Sequence, residues 1–179
     1  MREGGWERPM GGLLGARTLG LIGQGRIGSA VAKIARGFGT EVIAHDPASA
    51  ESVALEKLLE QADIVSLHIP YSEDNHHFIN AERLAQMKEG SILINTSRGG
   101  LVDEEAAASA LQSGHLGGAA FDVYEEEPYK GPLSAIDNAV LTAHVGSYAK
   151  EARMKQESQA AENLLAGLKS EAEGIKAYG

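Results

Sequence analysis

Cysteine is absent from the 179-residue sequence, so no disulfide framework, thiol nucleophile or cysteine-ligated zinc is available. Basic residues are scarce. Sixteen lysines and arginines against 25 aspartates and glutamates leave a formal charge of −9, which argues against a nucleic-acid partner held by its phosphate backbone. An anionic ligand must instead be held locally, by helix ends and single arginines. No apolar run approaches a membrane span, and Met1 to Trp6 lack the apolar core of a secretory signal. Neither a membrane nor a nucleic-acid partner is expected, and a cytoplasmic setting is the simplest expectation. The chain is long enough for one domain with a sizeable core and too short for two full-sized ones.

What is present is organised around Thr18 to Gly28, an apolar run ending in glycines at G-x-G-x-x-G spacing. Leu19 to Ile22 reads as a buried strand that turns tightly into a helix beginning near Arg26. Gly23 permits the turn, Gly25 lets a pyrophosphate approach the backbone, and Gly28 lets the helix lie close to the sheet. The first helical turn, with Arg26 and Ile27, then faces the phosphates with free N–H donors and the positive end of its dipole. Alone, such spacing is a weak signal in a chain with 22 glycines. The context strengthens it. Ile27, Ala30, Val31, Ile34 and Ala35 recur at helical spacing over Arg26 to Phe38, and Glu41 to His45 reads as a second strand ending at Asp46-Pro47. Asp46 lies 18 residues beyond Gly28, where an acid binds an adenosine ribose hydroxyl. Taken alone it is an ordinary turn or cap residue. The same carboxylate repels a 2′-phosphate, so NAD is expected over NADP. Ala48 to Ser52 leaves room for little more than one helical turn, so the second crossover is expected to be clipped or replaced by a loop.

Strand and helix alternate to the end of the chain. Leu55 to Gln61 is expected to be a short helix, Asp63 to His68 a strand, Ala81 to Met87 a helix capped by Asn80, and Ser91 to Asn95 a buried strand. The polar loop Tyr71 to Phe78 holds the pair His76-His77. With no carboxylate at ligand spacing, this reads as a solvated loop, and no metal site is expected. Asp103 to Ser113 reads as a helix, Gly117 to Val123 as a strand closely approached by another backbone, and Ala139 to Ala143 as a last strand. A final helix from about Ser147 carries an apolar stripe of Ala161, Leu164, Leu165 and Leu168. The pattern predicts an α/β fold: a doubly wound parallel sheet between helices in three layers, a Rossmann-type NAD-binding domain. Residues 1–17, with Trp6 and Pro9, read as a lead-in and 18–147 as the domain. The final helix spans 148–170 and a tail 171–179. Arg98, Asp122, Glu127 and His144 all fall at or just beyond the carboxyl ends of strands, the edge where such sheets bind ligands. Arg98 is a candidate anion clamp, although a solvated loop arginine, a structural histidine and an acidic loop are the plain alternatives for single residues.

Five blocks carry a resemblance: Thr18 to Gly28, Ser66 to Pro70, Asn95 to Asp103, Phe121 to Pro128, and Leu141 to His144. In this order they resemble the NAD-dependent D-isomer-specific 2-hydroxyacid dehydrogenases, which include phosphoglycerate dehydrogenase and glyoxylate/hydroxypyruvate reductases. The resemblance implies hydride transfer between NAD(H) and a small 2-hydroxy or 2-keto acid. It implies that Arg98 pairs with the substrate carboxylate and carbonyl, and that His144 is the acid/base oriented by Glu127. It also implies that Asp122 holds or adjoins the nicotinamide carboxamide, while Ile69, Pro70, Thr96, Ser97 and Gly146 line the cofactor. Gln24, Asn75 and Ala143 depart from the residues usual in the family. A homodimer is implied, as is a second, substrate-binding domain that this chain lacks; little or no turnover is expected without it. The alternative is a non-catalytic NAD(H)-sensing or corepressor-like module.

Overall fold

The computed structural model describes residues 10–176, with side chains through 168, so the expected lead-in around Trp6 and Pro9 and the last three residues of the tail lie outside the described residues. Two compact units divide at Ala143/His144. In the first, six parallel strands form one sheet: β1 (Thr18–Ile22), β2 (Glu41–His45), β3 (Ile64–Leu67), β4 (Ser91–Asn95), β5 (Leu116–Phe121) and β6 (Ala139–Leu141). Their order is β2-β1-β3-β4-β5-β6. The helices α1 (Arg26–Gly37), α2 (Leu55–Gln61), α3 (Ala81–Gln86) and α4 (Glu104–Gln112) are the crossovers. After β2 the connection returns past β1 to β3, which makes the β1/β3 boundary the point where the winding reverses and a crevice opens at the strand ends.

Alternation along the strands sends side chains to two cores. Ile22, Val65, Leu67 and Leu93 join Leu55, Leu58 and Leu59 of α2 and Leu84, Ala107 and Leu111 of α3 and α4 in the larger one. Leu19, Leu21 and Ala44 meet Ala32 and Ala35 of α1 in the smaller one. Helix ends follow the expected chemistry. Asn80 accepts the Arg83 N–H at 3.0 Å, Asp103 accepts that of Ala106 at 2.9 Å, and Gly39, Gly90 and Gly114 leave the helices at positive φ. The segment after β2 contains turns and no helix before α2, as its length requires.

The face of α1 differs from the expected stripe. Gly28, Ala32 and Ala35 are buried, whereas Ile27 and Ile34 are 69% and 64% exposed. The helix lies so close to the sheet that only small residues fit beneath it, and the bulky ones are displaced to the flank.

The second unit begins at His144 and contains α5 (Lys150–Lys176), which is longer than expected. Leu164, Leu165 and Leu168 are exposed. Among the described residues, no helix is long and apolar enough to cross a membrane.

Candidate active site

The strand register builds the site. Ile22 pairs with His45 and Leu67, Leu67 with Asn95, Asn95 with Phe121, and Phe121 with Leu141, so the carboxyl ends of the first unit's strands form one row. The residues that follow each end therefore emerge along one edge: Gly23, Asp46, His68-Ile69-Pro70, Thr96 and Asp122.

At Gly23 the chain turns with φ of 95°, and its N–H donates to the His45 carbonyl at 2.9 Å. A Cβ there would come 2.7 Å from the His68 carbonyl oxygen, beside Ile69. A Cβ on Gly28 would stand 2.2 Å from the Gly23 carbonyl oxygen, so the helix start is pressed onto its own turn. Gly25 is different. It is the N-cap of α1 at φ −67°, and a Cβ added to it meets nothing within 4 Å. Its lack of a side chain keeps space open in front of the first helical turn, which has no side-chain cap and no acidic residue. Arg26 and Ile27 are exposed in that turn.

The Asp46 carboxylate closes the other side. One oxygen accepts the Gln24 N–H at 2.7 Å and the other that of Ala48 at 2.9 Å. These two backbone donors, Gln24 foremost, hold its carboxyl below the usual carboxylate range. A carboxylate beside an uncapped helix start and an open glycine fits the ribose and pyrophosphate of a dinucleotide. Just past the end of β3, His68 meets Ser66 Oγ at 3.0 Å, and burial pushes its pKa down, which favours the neutral ring.

The turn bearing Arg98 is held from below by Asn95, which is fully buried. Its Nδ2 donates to the Arg98 carbonyl at 3.0 Å, and its Oδ1 accepts the Ser97 N–H at 3.1 Å. Ser97 Oγ donates to the Leu67 carbonyl at 2.7 Å. Thr96 and the Arg98 side chain are exposed at the edge. Gly99 then packs against another backbone: a Cβ there would lie 1.8 Å from the carbonyl carbon of Tyr124. This contact joins the Arg98 turn to the loop of Glu127, whose carboxylate accepts the Tyr124 N–H at 3.2 Å. Asp122 is buried; its N–H donates to Asn95 O at 3.0 Å, and it accepts the Thr142 hydroxyl at 2.5 Å. Glu127, Tyr124, Tyr129 and Thr142 line a recess of about 670 Å³. Burial pushes the Tyr129 hydroxyl up to about 12, so the stacked Tyr124–Tyr129 pair, 4.2 Å between centroids, stays uncharged.

Of the residues expected to serve the site, Gly23, Gly25, Arg26, Ile27, Gly28, Asp46, Ile69, Pro70, Thr96, Ser97, Arg98, Asp122 and Glu127 lie in the first unit. His144 and Gly146 belong to the second, where His144 has φ of 52°. Asn95 and Gly99 were not expected in supporting roles. An asparagine ending a buried strand and a glycine pair after an arginine were the available signals.

The fold and the glycine turn define a dinucleotide-binding domain of the doubly wound type. Residues 1–146 match the model of the family described as D-isomer specific 2-hydroxyacid dehydrogenase, NAD binding domain. The chain belongs to this family and is its NAD-binding domain. It is 44% identical to a glyoxylate reductase of Korarchaeum cryptofilum over 93% of this chain and 55% of that protein. A glyoxylate reductase structure from Paecilomyes thermophila is 34% identical with a TM-score of 0.87, covering 92% of this chain and 54% of that one. A D-lactate dehydrogenase from Aquifex aeolicus, complexed with NAD and lactic acid, is 33% identical with a TM-score of 0.84, over 94% and 58%. The chain thus spans about half the length of the curated relatives it matches.

Proposed function

We propose that the chain is the cofactor half of an NAD-dependent dehydrogenase acting on a small 2-hydroxy acid such as glycolate, or in reverse on its 2-keto partner. The observation that carries this reading is the joining, through Gly99, of the Arg98 turn to the Glu127 loop at the same sheet edge as the glycine turn. Arg98 clamps the substrate carboxylate with parallel donors and steadies the developing carbonyl. His144 takes the hydroxyl proton as the C–H hydride departs, and Glu127 orients its ring. The bound nicotinamide supplies the hydride acceptor. Asp122 adjoins its carboxamide, and Ile69, Pro70, Thr96, Ser97 and Gly146 line it. Asp46 accepts the ribose hydroxyls and disfavours a 2′-phosphate, which makes NAD the preferred cofactor. Pairing with a second copy is part of the same reading, as the family resemblance implies.

Catalysis in this reading needs a substrate-binding domain facing the strand ends, which accords with relatives nearly twice as long. The test is NADH oxidation with glyoxylate, hydroxypyruvate and pyruvate, with and without a substrate-domain fragment from a relative. Turnover is expected only with the fragment, and His144→Gln is expected to lower kcat by about a thousandfold, the scale of lost acid/base catalysis. Turnover that survives His144→Gln contradicts the assignment. NADH binding with no turnover in any combination favours a sensing module instead.

A further inference from the structure

His76, His77 and Glu125 come together from the loops that follow β3 and β5, 48 residues apart in sequence between His77 and Glu125. We propose that they form a site for a borderline divalent cation of the Zn²⁺ type. In extended backbone two successive side chains point to opposite sides. His77 breaks that alternation with φ of 49°, and the two imidazoles stack with centroids 3.9 Å apart and planes at 24°. Both Nε2 atoms then face one carboxylate: His76 lies 3.3 Å from one Glu125 oxygen and His77 3.4 Å from the other. The three groups offer ligand atoms that all lie within 4.8 Å of one another. Ligands bound tetrahedrally to one zinc at about 2.1 Å stand roughly 3.4 Å from each other. The two histidine–carboxylate spacings are near what the ion requires, and binding draws the remaining ligand atoms together.

One ligand is held from behind, and the backbone of the other two is fixed. The Tyr71 hydroxyl lies 3.3 Å from Nδ1 of His76, the ring nitrogen turned away from Glu125, which is the outer contact that orients a ligating imidazole. The His77 N–H donates to the Gly100 carbonyl at 2.8 Å, and the Glu125 N–H donates to Glu104 Oε1 at 2.9 Å. Glu104 is an acid within the surrounding field, and a cavity of about 530 Å³ beside His77, Glu104 and Glu125 admits a hydrated cation. Two imidazoles with one carboxylate favour zinc and its neighbours over magnesium or calcium, which prefer oxygen alone. Three protein ligands leave a position for water. An ion here ties the loop of His76 and His77 to the loop that carries Glu127, two residues beyond Glu125. The site stands independently of the dehydrogenase reading.

The test is equilibrium dialysis and calorimetry of the whole chain with zinc chloride at neutral pH, with Co²⁺ absorption reporting the ligand set. One equivalent of zinc is expected to bind, and His76→Gln and Glu125→Gln are each expected to weaken binding at least about tenfold. His77→Gly is the decisive variant, since glycine accepts positive φ: it should keep or raise the metal-free melting temperature while losing the ion. Saturable binding that is absent at millimolar zinc, or unchanged in all three variants, overturns the proposal.

Discussion

Gly99→Ala will be among the most destabilising single substitutions in the first unit. Its Cβ would lie 1.8 Å from the Tyr124 carbonyl carbon, 2.0 Å from the Tyr124 oxygen and 2.2 Å from the Glu125 nitrogen. All three are backbone atoms, so no side-chain rotation relieves the overlap. Either the Arg98 turn or the Tyr124–Glu127 loop must move, against the hydrogen bonds from Asn95 and to Glu127 that hold each. Overpacking of this severity costs roughly 3 kcal/mol or more. Urea unfolding should show a lower midpoint at an unchanged slope, the signature of lost stability without a new unfolded state. A midpoint within error of the parent would mean that the two loops are not packed as described. The substitution also parts Arg98 from Glu127, so activity regained with a substrate-domain fragment should fall even where the chain remains folded.

Asp46→Ala is expected to weaken NADH binding by about ten- to a hundredfold, because a charge-assisted hydrogen bond contributes some 1.5–3 kcal/mol. Part of that loss comes from the turn itself, since Asp46 accepts the Gln24 N–H inside the glycine loop. Asp46→Asn separates the two contributions. It retains an acceptor while removing the charge that repels a 2′-phosphate, so NADPH affinity should rise relative to NADH. Parallel titrations with both nucleotides measure the ratio. An unchanged ratio in Asp46→Asn removes this carboxylate from cofactor selection.

The glycine turn and Asp46 were legible because each is a local demand: a tight turn needs glycine, and an acid at a strand end has a fixed sequence distance from it. Asn80 as a cap and the alternation of strands and helices along the chain were legible for the same reason. The buried face of α1 was not. Periodicity reveals that a helix has two sides, but contact with the sheet selected Gly28, Ala32 and Ala35 over the larger Ile27 and Ile34. The roles of Gly99 and of the His76–His77–Glu125 cluster depend on contacts between distant segments. A left-handed residue at His77 also breaks the rule that successive side chains diverge. The pairing of His144 with Glu127 is an expectation from the resemblance alone, and the two residues fall in different units.

In the proposed function the dinucleotide pyrophosphate meets the start of α1 on the open side of Gly25. Calorimetric titration of NADH into the chain and into Gly25→Val tests it most directly. Nothing lies within 4 Å of the added Cβ, so the variant should melt at the parent's temperature. Its side chain occupies the space the phosphates need. Saturable one-to-one binding by the parent, weakened at least about tenfold in the variant, is the predicted result. Equal affinity in the two proteins, or no saturable heat from the parent at millimolar NADH, would contradict the account.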